Sequence, residues 1–454
     1  MRLAARGGTR RLSFHLDDTL LPTASAAVLL LPLALLHSRA LADVLLSSVA
    51  VLFLLRCWAK ADWSALRSGW FRLAALLWAW LLGVTLCVGS PPAMLQALVM
   101  VRLPVFALAL QHWVLAEPAT RRRLFWVVVA AAVWIALQCW QQYLLGTNIF
   151  GYPRWGDGAL TGPFWKPRAG SAYGAVFFPA FLPLVMDLLD RTSARARLAA
   201  VLLLAISVAT MVLIGQRMPT LLLLFGLLCA GLLLRRFRLP MLLAMLAGGV
   251  LLAATPVISP PTFQKLVLRF LEQMQHFPTS NYGLLYIRAL VMVAAHPWHG
   301  LGFDGFRNHC AEPQYFSGIP WLGMTDAENG GLAGCNLHPH NYYLQMATDG
   351  GLPALLLFAT LAALWLTQLA RALAPRPEPL RVALFVTALL ALWPLSSTTA
   401  LFVLPTSGWL FLSLGWGLAE ARTAAAARAG IPSVASTSHT RTPLADSRPK
   451  NVTA

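Results

Sequence analysis

Charge is what this chain has little of. Only 11% of its 454 residues are Asp, Glu, Lys or Arg, and acidic residues number 17 against 35 basic ones. A soluble globular domain carries about 25% charged residues, so a chain folded wholly in water is excluded. Six cysteines are too few for a disulfide scaffold. There is no His-Glu-x-x-His, no Cys-x-x-Cys and no Asp-rich triplet, which leaves no recognisable zinc or calcium motif. The turn Gly300-Leu301-Gly302 has no strand–helix–strand context, so it is no dinucleotide site. No small-residue cleavage site follows the first apolar run, and that run reads as a retained span.

What is present is apolar. Hydrophobic residues make up 58% of the chain, and mean hydropathy is +0.65. Apolar runs of about 18–22 residues recur, each long enough to cross a hydrocarbon core of about 30 Å. They fall near 22–41, 42–57, 69–89, 93–115, 124–146, 171–190, 197–215, 219–234, 240–258, 350–370, 380–397 and 400–420. Because lipid forces the backbone to bond internally, these runs must be helices. The expected fold is an all-α polytopic membrane protein of about twelve transmembrane helices. Residues 1–258 would hold spans one to nine, 259–340 a large loop, and 341–422 the last three spans. The segment 423–454, rich in Ala, Ser, Thr and Arg, reads as a disordered tail.

The net charge of +18 is distributed as topology rather than as a nucleic-acid footprint. Arg2, Arg6, Arg10 and Arg11 precede the first span, and Arg121, Arg122 and Arg123 follow the fourth. Arg191, Arg195 and Arg197 follow the sixth, and Arg235, Arg236 and Arg238 the eighth. Arg371, Arg376 and Arg381 lie after the tenth. Every second connection is basic, which is the positive-inside pattern. Both termini are then expected in the cytoplasm, with 147–170, 216–219 and 259–340 on the outer side.

The outer loop 259–340 collects polar chemistry: His276, His296, His299, His309, His338 and His340 all lie in it, of ten histidines in the chain. Cys310 and Cys335 are there too, as a candidate disulfide or as two free thiols. Asp157, Asp304, Glu312, Asp326 and Glu328 are scattered, with Asp304 in the glycine turn the most suggestive.

Within the loop run Arg288, then Pro297, then Gly300-Leu301-Gly302-Phe303-Asp304-Gly305-Phe306, then His338-Pro339-His340-Asn341-Tyr342-Tyr343-Leu344, then Gly350-Gly351. This order resembles the O-antigen ligase and O-antigen polymerase superfamily of bacterial envelope glycosyltransferases. Two further outer segments agree with it, Gly162-Pro163-Phe164 and Gln216-Arg217-Met218-Pro219. The resemblance covers about 150–355 in motif order and the flanking spans in topology only.

The resemblance implies a GT-C-like architecture with a large, partly helical periplasmic loop. It also implies transfer of O-antigen polysaccharide from undecaprenyl pyrophosphate to lipid A-core oligosaccharide, at the outer face of the bacterial inner membrane. Such a transfer needs a base for the acceptor hydroxyl and cations for the departing diphosphate. Histidine, with a reference pKa of about 6.5, suits the first task, and the arginine fork the second. His340, directly before Asn341, matches the family's recurrent base. His338 is partner or base in its turn, or both merely cap the helix at Asn341. Arg217 and Arg288 are the expected catalytic arginines. Arg102, Arg154, Lys166, Arg168, Asn341 and Asp304 are candidate substrate contacts. No metal and no cofactor are expected.

Three alternatives remain open at this point. An O-antigen polymerase would use the growing glycan as acceptor, and a protein O-oligosaccharyltransferase would use Ser or Thr. A transporter or flippase also needs many spans and buried arginines, but the paired broken helices of such proteins are not visible here.

Overall fold

The computed structural model describes residues 5–322, 331–396 and 399–430, with side chains from Thr19 onward. Arg2, Asp326, Glu328 and the tail from 431 lie outside the described residues. The first half of the chain is a series of long helices: α1 (Ala5–His37), α2 (Arg39–Lys60), α3 (Gly69–Val88), α4 (Pro91–Val99), α5 (Arg102–His112), α6 (Pro118–Leu145), α7 (Ala169–Asp190), α8 (Ala194–Ile214), α9 (Arg217–Leu233) and α10 (Arg238–Ile258). The loop then carries α11 (Pro260–Phe263), α12 (Arg269–Gln275), α13 (Asn281–Ala295) and α14 (Gly305–His309). The chain re-enters the bundle as α15 (Tyr342–Arg371), α16 (Pro379–Ala391) and α17 (Thr406–Arg428). Among the described residues the only β pairing is one isolated bridge, Thr147 with Pro153.

Nine helices among the described residues are long and apolar enough to cross a membrane, with α4 and α5 counted as one broken span. The sequence suggests about twelve. The three expected spans that fall short are α9, α16 and α17. α9 has 17 residues. α16 has 13, a rise of about 20 Å against a core of about 30 Å. It stops ahead of Trp393-Pro394, where proline removes a donor and disfavours helix at the residue before it. α17 is different in kind. Every residue from Ser407 to Glu420 is buried, so it offers lipid no face. It packs against α5, α15 and α16 as the central post of the bundle. Gly415 permits this, since a Cβ there would lie 2.7 Å from Leu110 and 3.1 Å from the Ala107 backbone. α17 also runs on to Arg428, past the point where the sequence reads as tail.

A second boundary differs. The first two apolar runs divide at Ser38, not after 41. Ser38 is extended (φ −146°) and its Oγ accepts from Leu41 N at 3.3 Å, capping α2. Arg39 therefore opens α2 instead of lying inside a span.

Several connections gather at one end, where Pro167, Gln216, Lys265 and His338 line one cavity. That end carries 147–168, 215–216 and the long loop. At the other end Arg236 meets Asp190 at 2.6 Å, Arg121 meets Glu420 at 3.0 Å, and Arg428 donates to Arg371 O at 2.9 Å. The basic connections thus share one end and the polar loop takes the other.

Candidate functional site

The long loop is tied to the bundle through a break in α15. Gly350 (φ −136°) and Gly351 (φ +71°) are non-helical, and Pro353 has no N–H to give. The carbonyls of Thr348, Asp349 and Gly350 thereby lose their helical donors. The glycine turn replaces two of them: Leu301 N donates to Thr348 O at 2.8 Å, and Gly302 N to Asp349 O at 2.9 Å. Trp80 Nε1 donates to Gly350 O at 2.8 Å. Leu352 N, released from Thr348, donates to Pro297 O at 2.7 Å. This backbone-to-backbone seam explains the glycines. At Gly300 (φ +65°) a Cβ would lie 2.6 Å from Gly350 N, and at Gly351 2.6 Å from Pro297 O. The Gly-x-Gly motif is therefore a seam with α15.

The seam sets the position of Asp304, at φ +58° ahead of α14. At the other end of the loop Asn341 caps α15. Its Oδ1 accepts from Tyr343 N (2.9 Å) and Leu344 N (3.1 Å), and its Nδ2 donates to Pro394 O (2.6 Å). Just before that cap, His340 takes a left-handed turn at φ +55°. Two residues apart in non-helical chain, the His338 and His340 rings come side by side, centroids 4.3 Å apart. The Tyr282 ring stands edge-on to His340 at 5.5 Å, and Asn336 Nδ2 lies 3.4 Å from His340 Nε2.

Both histidines line a cavity of about 1040 Å³ at the loop end of the bundle. Its mouth is cationic: Arg39, Arg168, Arg217, Lys265 and Arg307 line it, and Asp304 is the only carboxylate that does so among the described residues. Its depth is apolar, with Ala172, Ala175 and Phe178 of α7, Leu221, Leu222 and Leu223 of α9, and Ala388 and Leu390 of α16. Arg39 is the first residue of α2, Arg168 the N-cap of α7 and Arg217 the first residue of α9. None of these helices has an acidic residue in its first turn. A helix N-terminus is the positive end of its dipole, where an anion is favoured and a cation is not. Three N-termini and three arginines thus converge on one space.

The Arg217 guanidinium donates to Arg269 O at 3.2 Å and to Gln273 Oε1, both on α12. The neighbouring Gln216 donates to Pro167 O at 2.5 Å and so links the α9 turn to the α7 turn. Lys265 is held by Asp157. Burial, and then the nearby charge of Arg39, push the Arg168 guanidinium below its ordinary value. Burial raises the Asp304 carboxyl above the usual range, with Arg307, at 3.9 Å, pulling the other way.

Other expected contacts are not brought to this cavity. Arg288 is fully buried inside the loop, where it donates to Cys310 O and Gly331 O and stacks 4.2 Å from the Phe316 ring. Cys310 and Cys335 are bridged beside it. Arg288 therefore holds the loop together, and its charge is consumed by carbonyls. Arg102 pairs with Asp43 at 2.5 Å and reaches Val99 O at 3.5 Å, at the break between α4 and α5. Arg154 donates to Ser259 Oγ at 3.0 Å over the Tyr143 ring, and Lys166 stands 4.4 Å over the Trp165 ring. Asn341 is occupied as a cap. Among the described residues no three His, Cys, Asp or Glu side chains converge as a metal set.

Sequence reading missed Arg39 because the apolar count ran through it, although Ser38, a good N-cap residue, was the available signal. It missed Lys265 and Arg307 because neither lies in a motif.

A family model described as O-antigen ligase matches residues 200–359, from α8 to the upper half of α15. The match contains Arg217, Asp304, His338 and His340, and it names the family that the motif order resembles. Members of that family are membrane glycosyltransferase-like enzymes. No curated protein matches the chain.

Proposed function

We propose that this chain, which carries the O-antigen ligase domain at residues 200–359, joins O-antigen polysaccharide to lipid A-core oligosaccharide in lipopolysaccharide synthesis. The donor would be glycan linked to undecaprenyl pyrophosphate. One observation carries the reading: a single cavity presents paired histidines, a set of arginines at its mouth and an apolar depth. A lipid diphosphate has the complementary shape, with two anionic phosphates above a hydrocarbon tail.

In this mechanism an acceptor hydroxyl attacks the anomeric carbon of the donor glycan. The carbon–oxygen bond to the diphosphate breaks, and its electron pair leaves with the phosphate. His340 accepts the hydroxyl proton, and His338 stands against its ring. Arg217, with Arg168 beside it, meets the growing charge on the leaving group. Because guanidinium groups take that charge, the transfer is read as metal-independent. Arg288 acts at one remove, by holding the loop that carries the histidines.

The basic end of the bundle would face the cytoplasm with both termini. The cavity would then open to the periplasm of a bacterial inner membrane, under the loop of a GT-C-like fold. The test is transfer by the purified protein given lipid-linked donor and lipid A-core acceptor. Product with that acceptor, insensitive to chelators, supports the reading. Growth of the lipid-linked glycan instead identifies a polymerase, and transfer to Ser or Thr a protein glycosyltransferase.

A further inference from the structure

One ionisable side chain inside the bundle takes no part in the transfer step. Asp349 lies in α15, a helix long and apolar enough to span a membrane, and it is fully buried. No lysine, arginine or histidine pairs with it among the described residues. A carboxyl in such a place without a cation is costly, and where one is kept a use for it is expected. Its two oxygens meet two donors. Gly305 N donates to Oδ1 at 2.9 Å, and Gln345 Nε2 to Oδ2 at 3.5 Å. Gln345 cannot turn its amide over without loss, since its Oε1 accepts from Leu401 N at 2.8 Å. The network therefore needs an acceptor at both oxygens of residue 349, which a carboxyl supplies and a carboxamide does not.

This network joins two walls of the cavity. Gly305 directly follows Asp304, and Gly305 N already donates to Gly302 O at 2.9 Å, so Asp349 is not needed merely to satisfy it. The seam bonds at Leu301 and Gly302 stop short of Asp304, and the Asp349 contact carries the attachment past it. On the other side, Leu401 directly follows Thr399 and Ala400, which line the cavity from the connection between α16 and α17. Phe303 and Phe402 stack where the two walls meet, with centroids 5.5 Å apart. The same helix begins at the Asn341 cap, directly after His340. α15 thus sets His340 at its start and, through Asp349 and Gln345, the Asp304 turn and the Ala400 wall.

We propose that Asp349 is a positioning residue for glycan transfer: it holds the Asp304 turn and, with Gln345, the α16–α17 connection in fixed register with the histidines. The proposal rests on the reading of the cavity as the transfer site.

The test uses the full-length protein in lipid nanodiscs. A misplacement of about 1 Å at a reacting centre costs about 10²-fold in rate. Asp349→Ala is therefore expected to lower kcat per folded molecule by about tenfold to a hundredfold, with donor KM unchanged. Asp349→Asn, which keeps one of the two acceptors, and Gln345→Met, which frees only the Leu401 side, are expected to fall between. Nitroxide labels on Arg307→Cys and Thr399→Cys read the geometry without turnover, in a background lacking Cys87 and Cys229, the free cysteines that are not buried. Asp349→Ala should broaden the distribution of distances between the labels, and Asp349→Asn should broaden it less. Parental kcat per folded molecule in Asp349→Ala overturns the proposal, as does an unchanged label distribution. If Asp349→Ala does not fold, the same two criteria apply to Asp349→Asn and Gln345→Met. If the parental protein transfers no glycan, the functional reading fails, while the label distances still decide whether Asp349 holds the two walls together.

Discussion

Both ends of this bundle are rich in arginine, and they use it in opposite ways. At the basic end, two arginines near helix N-termini are met by acid, Arg121 of α6 by Glu420 at 3.0 Å and Arg381 of α16 by Glu378 at 3.2 Å, while Arg197 of α8 and Arg238 of α10 donate to Thr192 O at 3.2 Å and Gly231 O at 3.0 Å. Those near helix C-termini lie beside carboxylates or carbonyls, as Arg191 with Asp187 at 2.7 Å and Arg428 with Ala374 O at 2.8 Å. At the loop end Arg39, Arg168 and Arg217 occupy the starts of three helices with no carboxylate on them. The same residue type is tied to carboxylates and carbonyls at one end and lines a cavity without a carboxylate partner at the other, although Arg217 also donates to Arg269 O and Gln273 Oε1. Arg288 shows that position along the membrane normal does not settle the matter. It lies in the loop and yet is a fastener, because Cys310 O and Gly331 O have already claimed it.

The largest expected effect falls on the base. His340→Ala should lower transfer by about 10²–10⁴-fold, the usual contribution of general acid–base catalysis. Transfer at the parental rate in both His340→Ala and His338→Ala would remove the histidines from the mechanism.

Next come the fasteners. Arg288→Met strands buried carbonyls, and Arg121→Met strands Glu420. Each should cost about 3 kcal/mol of stability, read as a lowered melting temperature in detergent. Donor KM per folded molecule should not change in either variant. A raised donor KM in Arg288→Met would return that residue to the substrate site and blur the comparison.

Arg217→Gln should do the reverse. Donor KM should rise by about tenfold with little change in melting temperature, since the Gln273 contact is partly exposed. A loss of stability without a change in KM would make Arg217 one more fastener.

The smallest effect is at Asp304. Its carboxyl is raised above the ordinary value by burial, so ionisation costs the folded state. Asp304→Asn should therefore raise the melting temperature at neutral pH. The gain should shrink as pH falls through the raised Asp304 value and vanish below the ordinary carboxylate range. A gain that does not change with pH would show that charge is not its source.

The long helices were legible because lipid permits only internally bonded backbone, which turns apolar run length into helix position. α16 was overcounted because proline at 394 ends a helix whose apolar run continues. α17 was counted as an ordinary span because burial by protein and burial by lipid select similar residues. Of the residues that line the cavity, His338, His340, Arg217 and Asp304 belong to the motif order, and Arg168 was a candidate outside it. Arg288, Arg102, Arg154 and Lys166, expected as site residues, do not line this cavity, because a sequence position does not say which carbonyl or ring will claim the side chain. Asp43 for Arg102 is 59 residues away in sequence, and no local pattern joins them. Arg39 was hidden by the opposite error, a polar residue counted into an apolar run.

We propose that the loop end binds a lipid diphosphate through arginines that no carboxylate neutralises among the described residues. Thermal melting with and without undecaprenyl pyrophosphate tests it most directly, since a ligand that binds only the folded protein raises its melting temperature. The account predicts a rise for the parental protein and for Arg121→Met, and little or none for Arg217→Gln. An equal rise in Arg217→Gln, or no rise in the parental protein at saturating ligand, would contradict it.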